Sequence, residues 1–208
     1  RDRPALGAYR DAGAHFKTAL GAELAARHTG KVVVYVPGFN NSFDHGALNL
    51  FEIWSASGQA GVPIVFSWPT GGRRAFGYLA DTQDGAFSVY HLKETFRLIA
   101  ATREVESVTV IAHSHGASIV TSALRELLIE SRGADQSMQD TYRIDTLILA
   151  APDIDLGEME QRLVAEMFAV GFGQINVYLN PRDSALGLAR FIYGAPRFGV
   201  LNPELMSP

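Results

Sequence analysis

Val108-Thr109-Val110-Ile111-Ala112-His113-Ser114-His115-Gly116-Ala117-Ser118 opens as a short apolar run dense in β-branched residues and then turns helical in character. At the changeover stands a serine with a small residue two places to either side. Such a run predicts a buried parallel strand, a sharp turn at Ser114 and a helix that starts at once. Strand and helix backbones pass close together at a corner of this kind, so the positions two before and two after the serine must be small. Ala112 and Gly116 meet that demand. Glycine is the commoner residue at both places, and Ala112 keeps the steric logic. The turn strains its central residue and lifts the hydroxyl clear of the sheet, which makes Ser114 a candidate nucleophile.

Outward from this corner, strand-like and helix-like segments alternate. Apolar runs at 31–36, 62–67, 107–112, 143–150 and 174–179 predict strands. Helical patterns fall between and after them, at 45–57, 85–103, 116–131, 157–170 and 184–192. The strand runs are nearly continuous rather than alternating, as expected of parallel strands covered on both faces. Parallel strands joined by helices imply a doubly wound α/β sheet with its functional edge at the carboxyl ends of the strands. Residues 4–28, weakened by Gly7, Gly13 and Gly21, predict a helical lead over 1–30 ahead of one domain over 31–208.

Composition narrows the function classes. A chain of 208 residues, 47% hydrophobic and 19% charged, can bury a substantial core. A net charge of −4, with no basic run longer than Arg73-Arg74, argues against a nucleic-acid surface. The absence of cysteine excludes disulfides and thiolate metal sites. No metal is expected, since the acidic cluster at 153–160 has no histidine at ligand spacing. No nucleotide cofactor is expected either. Gly71-Gly72 lacks the Lys-Ser/Thr of a phosphate loop, and no strand leads into a GxGxxG turn. No apolar run approaches the roughly 18 residues of a membrane helix.

Polar residues gather where the strands end. The first strand runs into Pro37-Gly38-Phe39-Asn40-Asn41, the second into Ser67-Trp68-Pro69, the third delivers Ser114, the fourth Asp153 and Asp155, and the fifth Asn180-Pro181-Arg182-Asp183. Two backbone N–H groups are the expected holders of an oxyanion formed at Ser114. One belongs to His115 at the helix N-terminus, the other to Phe39 in the Gly38 loop, with Asn40 as the alternative donor and a substrate-pocket candidate. The segment 68–86 is expected to overhang the site as a loop, with Trp68, Phe76 and Tyr78 as candidate lining of an acyl pocket.

Taken together, the motifs at 36–43, 66–69, 112–116, 150–155 and 180–186 resemble the uncharacterised bacterial branch of the esterase/lipase superfamily. That resemblance spans about residues 30–200. It implies a three-layer α/β/α hydrolase fold and a serine hydrolase that cleaves carboxylic esters of small molecules through an acyl-enzyme on Ser114. Two positions depart from such relatives: Pro37 stands where histidine is common, and His115 where methionine is common. Asp183, after the strand that comes two after the nucleophile strand, is where this fold most often has its acid, with Asp153 as the alternative. Chain order in the fold is serine, acid, histidine, yet no histidine follows His115. The last strand and the catalytic histidine are therefore expected beyond Pro208. The competing reading is a catalytically silent hydrolase-fold module that binds a ligand through the same rim.

Overall fold

The computed structural model describes residues 3–69, 77–180, 182 and 196–200, and the side chains within them except those of 3–6, 8 and 77–84. Five strands, β1 (Lys31–Val36), β2 (Val62–Val65), β3 (Ser107–His113), β4 (Ile144–Ala150) and β5 (Gln174–Tyr178), form one parallel sheet in the order β2-β1-β3-β4-β5. Each lies where an apolar run predicts it. Parallel neighbours need crossover connections, and helices supply them: α2 (Phe43–Ala56), α3 (Gly77–Ala100), α4 (His115–Gly133) and the short α5 (Met138–Tyr142).

The near-continuous apolar character of the strands is explained by cover on both faces. Val32, Val34 and Val36 of β1 point into one core with Val108 and Val110 of β3, packed by α1 (Arg3–Ala26), α3 and α4. The intervening Val33 and Tyr35 point to the other face, with Ile111 and Leu50 and Trp54 of α2. The period of two along each strand thus separates the layers of a three-layer α/β/α fold. Leu20 and Leu24 of α1 are buried in the larger cluster.

Three segments differ from the sequence expectation. Residues 77–86 are helical, so α3 begins about two turns before the predicted start, and an overhanging loop does not extend over that part of 68–86. The span 157–170 is broken: one α-helical turn at Leu156–Glu158 runs into a π-helical Met159–Val164, then a left-handed Met167 and a 3₁₀ turn at Phe168–Gly171. The widened π turn shifts the angular period, which defeats a count made at 3.6 residues per turn. The short α5, capped by the Ser137 hydroxyl, carries too few residues for a periodic signal. The predicted helix at 184–192 lies outside the described residues.

Candidate active site

Ser114 stands between the last residue of β3 and the first of α4, with φ 52° and ψ −123°. For a residue with a side chain this is a strained, sparsely populated conformation. Several long-range contacts hold it. The Ser114 amide donates to the Ala150 carbonyl at the end of β4 (3.0 Å), and the Asp153 amide donates back to the Ser114 carbonyl (3.0 Å). The side chain makes no capping bond to α4, which leaves its hydroxyl out of the helix's own hydrogen bonding, and the residue is half-buried.

The two glycines carry the close approaches that the motif demands. A Cβ on Gly116 would lie 2.5 Å from the Pro37 carbonyl oxygen and 2.6 Å from that of Val36, so α4 starts in van der Waals contact with the end of β1. A Cβ on Gly38 would lie 2.8 Å from the Cβ of Ser114 and 3.2 Å from the carbonyl oxygen and ring Nδ1 of His113. The loop after β1 therefore rests directly on the serine. Asn41 braces that loop from within by donating from Nδ2 to the Gly38 and Phe39 carbonyls (3.3 and 3.2 Å). Phe39 is half-buried, while Asn40 is exposed with φ 54°.

Trp68 follows the end of β2. It is buried, and its indole N–H donates to the Pro37 carbonyl at 2.8 Å. A buried indole N–H needs an acceptor, and here the acceptor is the loop that touches Ser114. The tryptophan thus holds the loop from below. Its ring also lies 5.6 Å from that of His115.

His115 turns away from the serine. Its Nδ1 is 3.6 Å from Oδ2 of Asp153, and its Nε2 abuts α3 at Gly85, where a Cβ would come within 3.2 Å of it. Asp153 is 4% exposed, and its Oδ1 is 3.2 Å from Nε of Arg197, itself buried. Arg197 escaped the sequence reading. The only local signal is a charged residue inside the apolar, glycine- and proline-bearing stretch 194–200. Its segment returns antiparallel to the β4 exit: Phe198 N–H donates to Ile154 O, Gly199 N–H to Pro152 O and Leu156 N–H to Pro196 O. The Asn180 amide at the β5 exit donates to Gly199 O, so residues 196–200 join the ends of β4 and β5.

The other expected residues divide. Tyr78 lies in the first turn of α3, its side chain outside the described residues, and Phe76 and Asp183 lie outside them altogether. Asp155 caps the turn at 156–158 by accepting from the Glu158 amide (3.0 Å). His15, His28, His45 and His91 are exposed, and His91 packs on Phe87 and Tyr90. Among the described residues no cluster of three or more metal-ligating side chains occurs. No helix is long and apolar enough to cross a membrane, again among the described residues.

Among curated proteins no sequence matches the chain. Solved structures that resemble it include a lipase-esterase related protein from Clostridium acetobutylicum ATCC 824 (TM-score 0.37, 10% identity, covering 84% of this chain and 56% of that one). Another is phospholipase PlaB from Legionella pneumophila in complex with thio-NAD (TM-score 0.39, 14% identity, covering 83% of this chain and 44% of that one). The chain therefore spans about half the length of these two proteins. Residues 12–207, from within α1 onward, match the family described as alpha/beta hydrolase of unknown function, DUF900. With a parallel sheet, a strained serine at the β3–α4 corner and a family match over nearly its whole length, the chain belongs to this alpha/beta hydrolase family.

Proposed function

We propose that the protein is a serine hydrolase that cleaves carboxylic esters through an acyl-enzyme on Ser114. The observation that carries this reading is the backbone of Ser114 (φ 52°, ψ −123°), pressed against Gly38 at the carboxyl edge of the sheet. A strained residue persists only where its surroundings over-determine it, and such strain clusters at reacting groups.

In this mechanism the Ser114 Oγ forms a bond to the ester carbonyl carbon as a general base takes its proton. The oxyanion faces the backbone amides of His115 and Phe39, and the tetrahedral intermediate collapses by breaking the bond to the alcohol oxygen, which leaves with that proton. Water then repeats the sequence on the acyl-enzyme and releases the acid. Asp183 is the acid of the triad in this reading. Asp153 is less suited to that role, because its two oxygens face Arg197 and His115.

A fluorophosphonate probe should label Ser114 of the natural full-length protein and leave Ser114→Ala unlabelled. The same substitution should lower turnover of p-nitrophenyl acetate by about a thousandfold or more. Failure of the wild type to label, beside an active serine esterase that does, would overturn the reading in favour of a silent binding module. Gly38→Ala tests the loop. Its new Cβ must displace either the loop or the serine, and a shift approaching 1 Å at a reacting group costs about a hundredfold in kcat. Undiminished turnover in this variant would separate the Gly38 loop from catalysis.

A further inference from the structure

In the loop after β1, the successive carbonyls of Pro37, Gly38 and Phe39 accept hydrogen bonds from two side chains. Trp68 donates to that of Pro37 (2.8 Å), and Asn41 donates from Nδ2 to those of Gly38 and Phe39 (3.3 and 3.2 Å). Two acceptors facing one carboxamide fix its orientation, because only its nitrogen carries protons, one for each carbonyl. A peptide group is planar and trans, so its N–H points opposite to its C=O. The Gly38 carbonyl shares a peptide with the Phe39 N–H, and the Phe39 carbonyl shares one with the Asn40 N–H. Asn41 therefore draws both carbonyls to its own side of the loop and turns the Phe39 and Asn40 amides to the opposite side.

The loop needs such a hold. Residues 39 and 40 form a turn, Asn40 is left-handed at φ 54°, and Gly38 has no side chain to restrict it. A flip of the central peptide separates the two commonest turn types, so a bond to the Phe39 carbonyl selects between them. Asn41 is itself held from behind. It precedes Ser42, the N-cap of α2, whose hydroxyl accepts from the His45 amide (3.3 Å), and Leu50 and Trp54 anchor that helix on the sheet. The same loop meets the nucleophile, since a Cβ on Gly38 would lie 2.8 Å from the Cβ of Ser114. A tilt of the Gly38–Phe39 peptide thus re-aims the Phe39 N–H at contact range from the serine.

We infer that Asn41 is a positioning residue of the oxyanion site, which acts by aiming the Phe39 and Asn40 amides rather than by contact with the ester. The inference rests on the serine-hydrolase reading for its catalytic consequence but not for its geometry, and the test has two arms. Asn41→Asp keeps the shape of the side chain and removes both donors. Asn41→Leu removes them without adding charge and serves should the first variant fail to fold. Acylation and deacylation each pass through an oxyanion, so both should slow alike. With p-nitrophenyl acetate, kcat should fall about 10- to 100-fold while KM stays within about twofold. Trifluoroacetone, whose carbonyl carbon takes the Ser114 Oγ and becomes an oxyanion, should lose affinity by the same factor as kcat. An undiminished kcat, a loss confined to KM, or unchanged trifluoroacetone affinity overturns the inference. In the second arm, crystal structures of the wild type and the variant should show the Gly38 carbonyl turned away from residue 41 in the variant, with the Phe39 N–H carried round with it. An unmoved peptide also overturns it. A wild type that a fluorophosphonate does not label would instead overturn the nucleophile assignment, and the peptide orientation would still decide what Asn41 does.

Discussion

Gly116→Ala should lower the melting temperature by about 4–12 °C, from an overpacking cost of about 2–3 kcal/mol. The added methyl meets two backbone carbonyl oxygens, of Val36 and Pro37, at 2.6 and 2.5 Å, far inside van der Waals contact. Backbone cannot rotate aside as a side chain does, so either α4 or the end of β1 must move. Both bear on Ser114, one as its own helix and the other through the Gly38 loop, and the variant that still folds should also lose fluorophosphonate labelling. Gly133 is the internal control. At the far end of the same helix nothing lies within 4 Å of its would-be Cβ, and Gly133→Ala should be neutral or stabilising by up to about 1 kcal/mol. Differential scanning fluorimetry on the two variants checks the contrast. Equal melting temperatures for Gly116→Ala and wild type would mean that helix and strand do not meet as closely as described.

Arg197→Met should be the more damaging change. It removes the guanidinium 3.2 Å from a carboxylate that is 4% exposed, and breaking one side of a buried ion pair costs about 3–5 kcal/mol. Much of that cost arises from the charge that remains rather than from the net value of the pair. The double variant Asp153→Asn/Arg197→Met should therefore recover most of the lost stability, because the uncompensated charge is gone. Chemical denaturation of the two single variants, the double and the wild type gives the coupling directly. Additive losses would show that Asp153 and Arg197 do not interact across the β4 exit. The pair also bears on the site, since the same carboxylate faces His115, the residue next to Ser114.

These two expectations mark where local sequence stops being informative. The strands, the parallel connectivity and the serine corner were legible because each is written in neighbouring residues. β-branched apolar runs of strand length, helical periodicity between them and small residues at 112 and 116 all act over a few positions, as backbone sterics do. The role of Trp68 was not legible. An aromatic residue at a strand exit reads equally well as pocket wall or as packing, and only the folded chain brings its N–H to the Pro37 carbonyl. The same holds for the partners of Asp153, because Arg197 and His115 are distant from it along the chain and only the fold brings them beside its carboxylate.

The sequence by itself determined the layers of this protein, their order and the residue at the sharpest corner, because those follow from hydrophobic period and from steric demands between near neighbours. Only the tertiary structure decided which polar side chains meet: the indole with the Pro37 carbonyl under the loop, and Asp153 with Arg197 in their buried pair. Those meetings join residues distant along the chain, and a buried polar group takes whichever partner the fold brings within hydrogen-bond reach, a choice that no local pattern encodes.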